Sequence, residues 1–72
     1  MNAYYESLAQ AHGLSQRECD VFLQIVQGFS QKHVADDLCI SVNTVKTHVQ
    51  SIYRKFGVDS KDQLLAAVKQ RS

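Results

Sequence analysis

An all-α fold, a four-helix bundle preceded by a short N-terminal helix, is what three observations in this sequence predict. The 72 residues contain no proline and three glycines, and 44% of them are apolar, a composition suited to a small packed helical chain rather than a disordered one. Between Ser41 and Gly57, Val45, Val49, Ile52 and Phe56 recur at the spacing of one helical stripe. Helix-start signals stand at Ser15, Ser30, Ser41 and Ser60, and helix-stop glycines at Gly13, Gly28 and Gly57. At this length one core is just sufficient without disulfide or metal staples.

The stretch from Ser41 to Phe56 is the centre of that plan. Its stripe faces a core, and its other side carries Asn43, Lys46, Thr47, Gln50 and Arg54. Valine and threonine are weak helix formers, so this helix depends on packing for its stability. Ser41 is placed to accept the free amides of the first turn, and Gly57 to end the helix in a left-handed conformation.

In chain order, Ala3 to His12 form a short helical pattern through Tyr4, Leu8 and Ala11, closed by Gly13. Residues 1–13 are either a docking helix or the tail of a linker, and the domain proper runs over residues 14–72. Ser15 and Glu18 make an S-x-x-E capping box, with Leu14 placed to staple the first turns. The helix that follows runs to about Gln27 with Phe22, Ile25, Val26 and Phe29 on its inner stripe. Ser30 caps a second helix from Gln31 to about Leu38, with Val34, Ala35 and Leu38 inward. Only Cys39, Ile40 and Ser41 separate it from the central helix. Two helices joined so briefly cross steeply, which makes the pair a helix-turn-helix unit, and the small side chain of Ala35 permits the close approach. Ser60 and Gln63 form a further capping box for a last helix of about 12 residues, whose apolar side is Leu64, Leu65, Ala67 and Val68.

Net charge is only +1, but it is unevenly distributed. Residues 1–40 carry two basic and five acidic side chains, net −3, whereas residues 41–72 carry six basic and two acidic, net +4. The basic half contains the central helix, which points to a polyanionic partner. No apolar run is long enough to span a membrane, and the N-terminus lacks the basic and apolar regions of a signal peptide, so a cytoplasmic location is expected. Cys19 and Cys39 have neither a close spacing nor His partners, so two reduced thiols and no metal or other cofactor are expected. No nucleophile stands with a paired base, and His48 beside the stripe has no acidic partner, so the chain is not expected to be an enzyme.

Taken together, Leu14-Ser15-x-Arg17-Glu18, Gly28-x-Ser30, Val34-Ala35-x-x-Leu38-x-Ile40-Ser41, Thr44-Val45-Lys46-x-His48 and Lys55-Phe56-Gly57-Val58 resemble the LuxR-type (GerE-like) DNA-binding domain of bacterial transcription regulators. The resemblance covers about residues 14–70. It departs from the family pattern at Gln31 and His33, where Asn and Glu are usual, at Phe56 for Leu, and at Lys61 for Arg. It implies an output domain that binds double-stranded DNA in sequence-specific fashion, with its third bundle helix, about residues 42–56, in the major groove. Carried onto this chain, base contacts fall on Lys46, Thr47 and Gln50, with Asn43 beside them. Lys donates to guanine, Gln pairs with adenine, and the Thr methyl touches a thymine methyl. Phosphate contacts are expected at Lys32, Ser41, Thr44, Arg54, Lys55 and Lys61. The family's dimer contact falls on Leu64, Ala67 and Val68 of the last helix, implying a homodimer on inverted repeats, with RNA polymerase as a further partner. The rivals are a promoter-binding domain like region four of a sigma factor, which shares the helix-turn-helix, and a protein–protein interaction module.

Overall fold

In the computed structural model, which describes residues 3–69, the chain forms five helices, and among the described residues there is no strand. They are α1 (Ala3–Ala11), α2 (Gln16–Val26), α3 (Gln31–Leu38), α4 (Val42–Phe56) and α5 (Lys61–Val68). Four of the five begin on a serine whose hydroxyl accepts the backbone N–H three residues on: Ser15 from Glu18, Ser30 from His33, Ser41 from Thr44 and Ser60 from Gln63. At Ser15 the capping box is closed, with the Glu18 carboxylate accepting the Ser15 N–H at 2.9 Å. At Ser60 it is not: Gln63 instead accepts the N–H of Asp59 at 2.8 Å.

The helix ends share a device as well. After α2, Gly28 (φ +97) lets its own N–H reach Ile25 O and that of Phe29 reach Gln24 O. After α4, Gly57 (φ +69) does the same with Arg54 O while Val58 N–H bonds Tyr53 O. Between α3 and α4 the left-handed position is filled by Cys39 (φ 58, ψ 43), and Ile40 N–H closes onto Ala35 O. The chain therefore turns sharply within three residues, and α3 and α4 pack on each other as a helix-turn-helix.

The core lies where α2, α3, α4 and α5 converge. Val21 and Phe22 from α2, Val34 and Ala35 from α3, Val45, Val49 and Ile52 from α4, and Leu64 and Val68 from α5 are buried. Each of these side chains larger than alanine contributes about 1.5–3 kcal/mol on leaving water. Helix α1 is packed against this core, with Ala9 buried, Tyr5 edge-on to Phe22 at 6.2 Å, and the Tyr4 hydroxyl donating to Val68 O at 3.1 Å. Phe22 stacks on Phe56 at 5.1 Å, and His12 also stacks on Phe56, at 4.0 Å.

Three sequence expectations are corrected. Phe29, expected on the inner stripe of α2, lies beyond the helix end, because Gly28 turns the chain away from the helix axis. It is 40% exposed and stacks on His33. Val21 holds the inner position instead. The described α5 has eight residues rather than about 12, and its inner side is Leu64 and Val68. These two, expected at a dimer interface, are core residues, and of the three expected there only Ala67 is exposed.

Candidate nucleic-acid interface

The face of α4 opposite its buried stripe carries Asn43, Lys46, Thr47, Gln50 and Arg54, all exposed. One helix periodicity places both sets: Val45, Val49 and Ile52 cannot turn inward without turning these five outward. Among the described hydrogen bonds and ion pairs, none engages the side chains of Asn43, Lys46, Gln50 or Arg54 (only main-chain oxygens of these residues accept). Among the described residues nothing occupies their donors and acceptors. Thr47 differs, since its hydroxyl donates to Asn43 O one turn back at 3.1 Å.

At the start of α4, Ser41 and Thr44 form a pair. The Ser41 hydroxyl oxygen accepts Thr44 N–H at 3.0 Å and lies 2.9 Å from Thr44 Oγ1. Two hydroxyl protons with one mutual bond leave one for an outside acceptor. Together with the positive end of the helix dipole, the pair is chemically suited to an anionic oxygen. At the other end, Gln50 and Arg54 border an open hollow of about 230 Å³ completed by Tyr53, Val58 and Asp59. Burial, then the charge of Asp62, pushes the Tyr53 phenol up from its ordinary value, so this ring stays neutral and polar at the rim.

Of the expected phosphate contacts away from this face, Lys32 is exposed in the first turn of α3 and Lys61 is the exposed first residue of α5. Lys55 is committed elsewhere. Its ammonium donates to Glu18 Oε1 at 2.7 Å and to Gly13 O at 3.1 Å, so a phosphate would have to break an existing ion pair to recruit it. The Glu18 carboxylate is largely buried, and its second oxygen accepts the Ser51 hydroxyl. Burial pushes this carboxyl up, but the hydrogen bonds from Lys55, Ser51 and the Ser15 N–H, with the charge of Lys55, more than reverse that and hold it at about 2. Sequence reasoning saw Glu18 only as a capping residue. Its partners stand 33 and 37 positions away, where no local pattern reaches.

His48 is half-buried beside the stripe. Cys19 and Cys39 are free thiols, and burial, then the charges of Asp20 and Glu6, raises the Cys19 thiol above its ordinary value. Among the described residues no group of three or more His, Cys, Asp or Glu is placed to hold a metal ion, and no helix is long and apolar enough to cross a membrane.

Residues 12–68 match the family model described as bacterial regulatory proteins, luxR family. The chain is 32% identical over 63 residues to the HTH-type transcriptional regulator MalT of Serratia proteamaculans (strain 568). That stretch is 88% of this chain and 7% of that relative, so the chain spans a small part of the longer protein's length. No solved structure matches the chain.

Proposed function

Since the chain belongs to the luxR family of bacterial regulatory proteins, we propose that it is the sequence-specific DNA-reading output domain of a transcription regulator, with α4 seated in the major groove. The observation that carries this is the outward face of α4, where Asn43, Lys46, Gln50 and Arg54 are exposed without hydrogen-bond partners among the described residues. Lys46 and Gln50 have the groups that a guanine and an adenine edge require. Asn43 and Thr47 lie on the same face. Arg54, with Ser41 and Thr44 at the helix start, meets phosphates, and Lys32 and Lys61 add charge from the neighbouring helices. Two domains pair on an inverted repeat through the exposed side of α5, where Ala67 stands. RNA polymerase is the further partner through which such an output domain acts, and a DNA partner in a bacterium places the domain in the cytoplasm. No step of this role involves a covalent reaction.

Selection from random duplexes tests the proposal. A defined motif should emerge whose affinity falls steeply with salt. Lys46→Ala and Gln50→Ala should each weaken the selected duplex by about 1–3 kcal/mol and relax base preference at one position. Arg54→Ala should weaken all duplexes alike and reduce the salt slope by about one unit. Equal losses on selected and random duplexes for Lys46→Ala would remove it from the base-reading set. Salt-insensitive or absent DNA retention would favour a protein-binding module instead.

A further inference from the structure

Phe29 and His33 form an exposed aromatic pair at the turn between α2 and α3, away from the outward face of α4. Phe29 is 40% exposed, His33 is exposed, and their rings stack at 4.4 Å with 18° between the planes. Both backbones are tied down. Phe29 N–H donates to Gln24 O at 3.2 Å, and His33 N–H donates to the Ser30 hydroxyl oxygen at 3.1 Å. Among the described hydrogen bonds, neither imidazole nitrogen of His33 has a partner. A glutamate three residues after Ser30 would close a capping box and would repel an anion at this surface. The histidine that stands there lays its ring on Phe29 instead and keeps an N–H to donate.

The helix-turn-helix sets what this surface can meet. With the second helix of the unit in the major groove, the first crosses the phosphate backbone at the groove's edge. Here the first helix is α3, and Lys32 is exposed beside His33 in its first turn. The exposed charge nearest in sequence is therefore of the sign that a phosphate requires. Farther along α3 stand Asp36 and Asp37, and the Asp37 carboxylate already accepts the Gln24 amide at 2.7 Å. From Gln24 to Ser30, the end of α2 and the turn bring no ionisable side chain. Helix α4 packs against the opposite side of α3, where Val34 and Ala35 are buried.

Resting on the DNA-reading role of α4, we propose that the Phe29–His33 pair is a contact for the sugar–phosphate backbone beside the groove. Phe29 covers a deoxyribose, and the His33 imidazole takes up one proton from solvent on binding and donates to a phosphate oxygen. The phosphate charge favours the imidazolium, and the aromatic face of Phe29 beneath it does the same. The bound domain then holds one proton more than the free one, so affinity rises as pH falls.

Duplexes of selected and of random sequence, each with room for one domain, are titrated at about pH 6 and about pH 8 at fixed salt. The unsubstituted domain should bind both about three- to tenfold more tightly at the lower pH. His33→Gln should bind like the unsubstituted domain at the higher pH and lose this dependence, which separates His33 from His12 and His48. His33→Arg, charged throughout and planar enough to stack on Phe29, should bind at both pH values as the unsubstituted domain does at the lower one. Phe29→Ala should weaken selected and random duplexes alike, since a backbone contact carries no sequence information, while its Tm stays close to that of the unsubstituted domain. A pH dependence that survived in His33→Gln, or a Phe29→Ala domain that bound as tightly as the unsubstituted one, would overturn the contact and leave reading by α4 intact. Unchanged duplex binding in both variants with weaker recruitment of RNA polymerase would overturn it in favour of a protein-docking patch. A selection that returned no duplex would bring down the DNA-reading role as well.

Discussion

Glu18 shows how much one side chain can carry. It closes the capping box of α2, accepts Ser51 and Lys55 from successive turns of α4, and through Lys55 is linked to Gly13 O at the entry to the bundle. Its carboxyl is held at about 2, below the ordinary 4.5, so its stabilising contribution is fully present above about pH 4.5 and is lost as pH falls from there toward 2. Glu18→Gln preserves the cap, because a glutamine oxygen also accepts the Ser15 N–H. It should nevertheless cost about 1–3 kcal/mol at pH 7, after allowing for solvent screening at the partly exposed Lys55, and should flatten the acid limb of the stability curve between about pH 4.5 and 2. Denaturant titrations at a series of pH values would check this; an unchanged acid limb would mean that another carboxylate carries it. Cys39 is a second residue-scale case. A non-glycine residue in the left-handed region costs about 1–2 kcal/mol, part of which glycine returns as unfolded-state entropy. Because Cys39 is exposed and contributes little packing, Cys39→Gly should stabilise the domain by about 0.5–1 kcal/mol, a rise in Tm of roughly 2–8 °C. A fall in Tm would show that the thiol has a partner.

At the scale of elements, what could be read from the chain divides along a physical line. Caps, stripes and stops are local, so Ser30, Ser41, Gly57 and the stripe of α4 fixed α3 and α4 to their observed bounds. Phe29 misled because periodicity alone continues past Gly28, whereas the backbone does not. Val21 stands one helical turn before Ile25, so the same period that points to Ile25 also points to it. The outward α4 face followed from its inward one, but the commitment of Lys55 to Glu18 did not, since it depends on how α2 lies across α4. The burial of Leu64 and Val68 in their own core is hidden from the sequence for the same reason: an apolar stripe does not say which surface covers it. Helix α1 was the least determined. In the structure it covers Phe22 through Tyr5 and reaches α5 through Tyr4, with His12 just past its end stacked on Phe56, but it contributes none of the outward α4 residues. A chain beginning at Gly13 should therefore lose roughly 2–4 kcal/mol of stability, from the packing of Tyr5, Leu8 and Ala9, while keeping its duplex affinity below the lowered Tm. Calorimetry and a binding isotherm on the same sample separate the two; a tenfold loss of affinity by folded protein would place α1 in the interface.

For the whole molecule, the proposed pairing of two domains has to fit what α5 leaves exposed. With Leu64 and Val68 buried in their own core, Val68→Glu should unfold the domain, so it cannot probe pairing. What α5 offers outward is Lys61, Asp62, Gln63, Ala66 and Ala67, on a helix of eight residues. At about 1.5 Å per residue this helix is roughly 12 Å long, and its exposed side supplies far less than the roughly 1,000 Å² of a stable interface. The free domain should thus sediment as a monomer at micromolar concentration. On a duplex with two inverted half-sites centred about one helical turn apart, each bound copy raises the effective concentration of the other, and a weak α5 contact becomes sufficient. In the proposed pairing, the small side chain of Ala67 would let the two helices approach closely. Ala67→Glu would set two like charges against each other across the two-fold axis while leaving the core untouched. Its Tm should stay within a few degrees of the unsubstituted protein and its affinity for a single half-site should be unchanged, while cooperative filling of paired half-sites is lost. Cooperativity that survived Ala67→Glu would move the pairing surface off α5, and a free domain that already sedimented as a dimer would mean an interface larger than α5 can provide.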